Sequence, residues 1–319
     1  MAMATIATVE NPPVRTLMAV SSSRKSEAGK KLPTRRPVYP ISAERELARA
    51  FLAVPAVIIQ KSKPYLDRIM AIYGVWAQEN VRTDARISMQ DAVGMILEEY
   101  GADIMDGIDV GKITDKVNRT ARYAKGISVR DWKALVNNAL KLQIDEPFYM
   151  ETMDDLVNKW VYQSVQSITG YPQEYLNKVQ EAINWGYTTH QPFVNVYRRI
   201  QKLTGDTKSH AKMIARDMMG TLNCQMTRYE HESMGVSQYR WITKRDSRVR
   251  ECHAELHGHI FDWNNPPAQW YFTKSRGIVY TGEYCHPGEA YCCRCVAQPV
   301  FDEKKLQAFM SEDRVRPTR

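Results

Sequence analysis

YRWITKRDSRVRECHAELHGHIFDWNNPP (residues 239–267) and, after a short variable piece, CHPGEAYCCRCVAQPVF (residues 285–301) are the stretches on which the reading of this chain turns. Five of the six cysteines, four of the seven histidines and three of the seven tryptophans fall in this window, with the double proline Pro266-Pro267. A helical scaffold has no need of so many metal-capable and rigid side chains in one place. The runs Tyr239–Thr243, Gly277–Tyr280 and Val296–Phe301 are β-rich and short, and Gly, Pro, Asn and Asp separate them. They predict a compact module with a small sheet.

Side chains alternate along an extended segment, so Cys293-x-Cys295 projects both sulfurs to one side. Two thiolates at one point suit a soft tetrahedral ion, and zinc closes such a site with four N or S ligands. The remaining two come from the Cys252-His253 and Cys285-His286 pairs, and spacing alone does not choose within either pair. The alternative is a metal-free fold of packed thiols and hydrogen-bonded imidazoles. Asp246, Arg248 and Arg250 alternate beside His253. A carboxylate meeting a planar guanidinium makes a loop clamp under the Trp241 strand. A sharper reading makes His253 or His257 a general acid or base, with Arg248 or Arg250 stabilising a phosphate. Gly258 is placed for a backbone conformation closed to other residues, and Pro266-Pro267 for a stiff extended connection. Trp263, Trp270 and Tyr271 either close a small core or stack on bases.

Working outward, residues 43–238 are helical in pattern. Ser88-x-x-Asp91, Ser128-x-x-Asp131 and Thr152-x-x-Asp155 each place a hydroxyl and a carboxylate where a helix N-terminus leaves amides unsatisfied. Trp132, Leu135, Val136, Ala139 and Leu140 line one helical face, as do Leu156, Val157, Trp160, Val161, Val165 and Ile168. Pro172 and Pro192 mark starts, and Gly186, Gly205 and Gly235 mark ends. This predicts helices over 172–185, 192–203 and 207–234, the last with Ala211, Ile214, Ala215, Met218, Leu222, Met226 and Tyr229 on its apolar stripe. Its other face, with Lys212, Arg216, Asp217, Gln225, Arg228 and Glu232, reads as solvated. The isolated His190, His210, His231 and Cys224 read as packed or surface residues.

The chain's 319 residues, 44% apolar, allow one or two domains with a real core. A balance of 44 Lys+Arg against 36 Asp+Glu gives +8 and favours acidic or nucleic-acid neighbours. No run approaches the roughly 20 apolar residues of a membrane span, and Pro55 breaks the best one, Ala50–Ile59. With Glu10 and two prolines where a secretory signal has its apolar core, a chain made and kept in a reducing compartment is expected, which favours metal or free thiols over disulfides. Residues 1–42 carry seven cations and five prolines among few apolar side chains, so a disordered basic arm is expected there. Residues 302–319 form a mixed-charge tail in which Leu306, Phe309 and Met310 predict one docking turn of helix.

The order Asp246-x-Arg248-x-Arg250-x-x-His253-x-x-Leu256-x-Gly258, then Pro266-Pro267, then His286-Pro287-Gly288 leading to Cys293-Arg294-Cys295, resembles the Mu F-like minor head proteins of tailed bacteriophages. The resemblance is tight over the last quarter of the chain and loose through the helix ending at Gly235. It narrows the ligand set to His253, His286, Cys293 and Cys295 around a structural zinc. It implies an α+β protein: an arm (1–42), a helical body (43–238), a Mu F-like module (239–301) and a tail (302–319). It further implies a non-enzymatic minor capsid protein of head morphogenesis, present in multiple copies. Portal protein, major capsid protein and, through the basic arm, genomic DNA are its partners. It would reside in the head interior near the portal, after assembly in the host cytoplasm. Two other classes stay open: a nuclease-like enzyme using Arg248 and His253, and a nucleic-acid-binding zinc protein. Disulfides formed later in a released particle are a further alternative for the thiols.

Overall fold

The computed structural model describes residues 29–78, 88–142 and 150–304. The expected docking turn at Leu306–Met310 lies outside them. Seven helices form the body: α1 (Ile41–Phe51), α2 (Ala53–Gln78), α3 (Met89–Gly107), α4 (Val110–Leu140), α5 (Met150–Thr169), α6 (Tyr171–Thr188) and α7 (Phe193–Ser233). The α+β class expected from sequence is the one observed, a helical body with a small sheet at its C-terminal side. No helix among the described residues is long and apolar enough to cross a membrane.

Helix α7 is the spine. Its 41 residues span about 60 Å at the usual rise. Helices α1, α2, α4, α5 and α6 all pack on it. Ala211, Ala215, Met219, Leu222 and Met226 are buried along one stripe, and the small residues among them let neighbouring helices approach closely. Two predicted boundaries do not hold. Gly205 ends nothing, because a Cβ there would meet open space and the helix runs straight through, so 192–203 and 207–234 are one element. A mid-helix glycine costs about 1 kcal/mol, which packing on both sides of it outweighs. Ser128-x-x-Asp131 starts nothing either, since it lies inside α4. Its two side chains are spent on tertiary bonds: the Ser128 hydroxyl donates to Glu230 on α7 (2.9 Å), and Asp131 accepts from the Val38 amide (2.7 Å). Ser88, by contrast, caps α3 as its sequence predicts, accepting from the Asp91 amide.

Part of the segment expected as an arm also belongs to the body. Residues 29–42 are described, and they are tied down. Strand β1 (Lys30–Lys31) pairs antiparallel with β6 (Val296–Asp302), and the Gln298 side-chain amide donates to the Pro33 and Arg35 carbonyls, both at 2.9 Å. Arg35 pairs with Asp131 at 3.0 Å, and Tyr39 is buried. The physical reason is that β6 has an edge to fill and Asp131, nearly buried, needs donors. Residues 1–28 lie outside the described residues.

The module carries strands β2 (Gln238–Ile242), β3 (Ile260–Asp262), β4 (Ala268–Thr273) and β5 (Gly277–Tyr284), with a short helix α8 (Glu251–Leu256) between β2 and β3. The antiparallel sheet has the order β1-β6-β2-β3, and β4-β5 form a separate hairpin. Module and spine touch through backbone. A Cβ added at Gly220 of α7 would lie 2.7 Å from the Cys293 carbonyl oxygen and 2.9 Å from that of Gly288. Only glycine lets the loop sit there.

Candidate metal centre

Helix α8 and the Cys293–Cys295 turn bring three of the four expected ligands together. The ligand atoms of His253, Cys293 and Cys295 lie within 4.8 Å of one another, and all three residues are buried. His253 Nδ1 is 3.5 Å from Cys293 Sγ and 3.6 Å from Cys295 Sγ. An ideal tetrahedral zinc, with Zn–N of about 2.0 Å and Zn–S of about 2.3 Å, sets such atoms about 3.5 Å apart. The spacing is that of a ligand set.

The imidazole is also turned the right way. The Gln269 side-chain amide donates to the Pro267 carbonyl (3.2 Å), which aims its oxygen at His253 Nε2, 2.9 Å away. Nε2 is therefore the nitrogen that donates to Gln269, which leaves Nδ1 facing the sulfurs. The stiff Pro266-Pro267 connection, through Gln269, orients the histidine. Gln269 was not legible as a site residue, because nothing in its neighbourhood marks it except its distance from the double proline.

Charges within the cluster are coupled. Hydrogen bonds from Cys295 and His253 outweigh burial and hold the Cys293 thiol well below its ordinary value. The Cys293 sulfur and burial push Cys295 up. Burial opposes the His253 imidazolium, but the sulfurs of Cys252 and Cys293 prevail and raise it to about 10. Zinc held by His253, Cys293 and Cys295 would cross-link α8 to the Cys293–Cys295 turn, a structural role.

His286 does not join the cluster. Its Nδ1 is 2.8 Å from the Tyr239 hydroxyl and its ring packs on Trp263, so it belongs to the aromatic core of the module. The expected set of four becomes three, and a fourth ligand is not supplied by His286. His257 is also elsewhere: the Thr243 amide donates to its Nδ1 at 2.9 Å, and burial with Arg245 nearby lowers its basicity.

Asp246, Arg248 and Arg250 clamp the turn that carries the cysteines. Asp246 accepts from Arg294 of the Cys-Arg-Cys turn at 2.7 Å and from Arg248 at 3.3 Å. Partial burial works against its carboxylate, but Arg294 and Arg248 outweigh this and hold it below its ordinary range. Arg250 donates to the Tyr291 carbonyl at 2.5 Å. Gly258 has φ +87°, and its amide donates to the Trp241 carbonyl. On the spine, Asp217 accepts from the Cys292 amide at 2.7 Å, so the face that reads as solvated in sequence receives the module.

Spine, four-stranded sheet and buried Cys-Cys-His triad define an α+β protein with a candidate structural metal centre. Residues 173–298, which contain the spine and the triad, match the family described as Phage Mu protein F like protein. The matched region contains the motifs Asp246–Gly258 and His286–Cys295 on which the sequence resemblance rests. It is similar to an uncharacterized protein of Haemophilus influenzae, 31% identical over 225 residues that cover 68% of this chain and 47% of that protein. It is also similar to an uncharacterized protein of Methanocaldococcus jannaschii, 26% identical over 221 residues that cover 67% of this chain and 31% of that one. The chain thus spans less than half the length of these relatives. No solved structure matches it.

Proposed function

We propose that this protein is a minor head component of a tailed phage, acting by binding during head morphogenesis. The carrying observation is that the family match covers the spine and the module together, and the two meet backbone to backbone at Gly220. Such a junction fixes the module on a rigid rod, which suits a part that must present one face to a portal ring or the inner capsid surface. The cluster is read as a structural zinc site held by His253, Cys293 and Cys295. Its role would be to hold a module whose apolar core is small.

The nuclease-like reading finds less support. Both ring nitrogens of His253 are engaged, one by Gln269 and one by the two sulfurs, which leaves it poorly placed as a general base. The decisive experiment is co-purification with the portal protein of the same phage. A stable portal complex is the expected result; a chain that cleaves DNA or RNA, with the activity lost in His253→Ala while the fold is kept, would reverse the assignment.

A further inference from the structure

A cavity of about 160 Å³ opens over the cluster, and His253, Cys293 and Cys295 all line it. Around them stand five cations, Arg216, Lys244, Arg248, Arg250 and Arg294, and no carboxylate lines the cavity. Asp246 and Glu44 reach three of these cations from outside it, through Arg248, Arg294 and Arg216. Among the described residues neither Lys244 nor Arg250 pairs with a carboxylate. Three of the five cations have a carboxylate partner and two do not, so the mouth of the cavity, where Lys244, Arg248 and Arg250 are exposed, carries an excess of positive charge.

We infer that this cavity is a binding site for a phosphate oxyanion, held by Lys244, Arg248 and Arg250 above the Cys-Cys-His cluster. A guanidinium offers paired donors that match phosphate oxygens, and a lysine adds a movable point charge. Arg294 and Arg216, committed to Asp246 and Glu44, shape the walls, while Lys244 is exposed and free to move onto a ligand. None of the residues that would hold the anion belongs to the N-terminal segment, and the site stands whether or not a portal is the partner. The same chemistry is offered by free phosphate and by a nucleic-acid backbone.

The test is titration of the intact protein with inorganic phosphate, followed by calorimetry, beside the variants Lys244→Gln and Arg248→Gln and the double variant. Saturable binding is expected, weakened at least about tenfold in the double variant and by a smaller factor in Lys244→Gln, a residue with no carboxylate partner, whose thermal unfolding in phosphate-free buffer is unchanged. Absence of saturable binding, or binding equal in wild type and double variant, overturns the proposal. A short single-stranded oligonucleotide then identifies the source. Competition with phosphate that the double variant loses supports a nucleic-acid backbone, and phosphate binding that the oligonucleotide leaves untouched supports the free ion. Zinc content measured on the same samples reports the metal reading independently.

Discussion

Trp160 in the helical body and Trp241 in the module are equally buried, but their surroundings differ in kind. Trp160 sits in one continuous apolar cluster to which all seven helices contribute, with Val157, Val161 and Met153 on its own helix and a bond from its indole to the Met218 carbonyl. Trp241 packs edge-on against the His253 ring, among Cys293, Cys295, Tyr239 and Trp263. The first core is made of apolar area, which is non-directional and forgiving of exchange. The second depends on particular atoms at particular distances, since a module of this size has little apolar area to bury. Two regions of one chain thus reach order by different physical routes, and they should fail differently.

The largest separation between them should come from the metal. Chelating bound zinc, or changing Cys293 and Cys295 together to Ser, should melt the module and spare the body. Sites of this type contribute on the order of 10 kcal/mol at neutral pH. Near-ultraviolet circular dichroism should collapse while the helical far-ultraviolet signal stays, and simultaneous loss of both would erase the distinction. Trp160→Ala should do the reverse, lowering stability by about 3–5 kcal/mol through a cavity in the body while zinc content is kept; chemical denaturation read alongside metal analysis measures both.

Glu230 tests the seam between the regions by pH. Burial is the main cause that raises its carboxyl from 4.5 to about 8, against a hydrogen bond from Ser128. Folded protein keeps the proton while unfolded chain gives it up, so this group makes stability fall as pH rises from about 4.5 to about 8. Glu230→Gln removes that fall. The variant should gain roughly 5 kcal/mol over wild type above the upper value and nothing below the lower one. Denaturation midpoints across pH give the answer, and a constant offset would refute it.

Gly220→Ala should loosen the junction by about 2 kcal/mol, because the new methyl meets two carbonyl oxygens that cannot give way cheaply. Hydrogen exchange should quicken around residues 288–295 more than in α4. The smallest effect belongs to Ser88→Ala, about 1 kcal/mol from a lost cap, confined to α3 and visible only in the body's transition.

How much of this was legible in the chain follows the same divide. Helical stripes such as Ala211, Ala215, Leu222 and Met226 are periodic, so their burial reads directly from spacing. Strands β2, β5 and β6 and the left-handed Gly235 were legible from local composition. That one member of the Cys252-His253 pair would meet the Cys-Arg-Cys turn was legible from residue type, while the choice of His253 came from the family resemblance. Its partners were not: Gln269 and Arg294 act across long sequence separations, and no local pattern encodes such meetings. Ser128 and Asp131 misled because a capping pair and a tertiary hydrogen-bonding pair use the same side chains. Residues 29–40 misled because their order comes from backbone groups and a distant Gln298, which composition does not register.

Strand β6 is the last strand of the described chain, yet it lies between β1 and β2 in the sheet. During synthesis the helices have all their partners early, whereas the sheet lacks its middle until residues 296–302 leave the ribosome. The segment near residue 30 and the strand at 238–242 both wait for the same late arrival. A chain that lacks residues 296–302 would leave the helical bundle with an open seam, a form exposed to proteolysis.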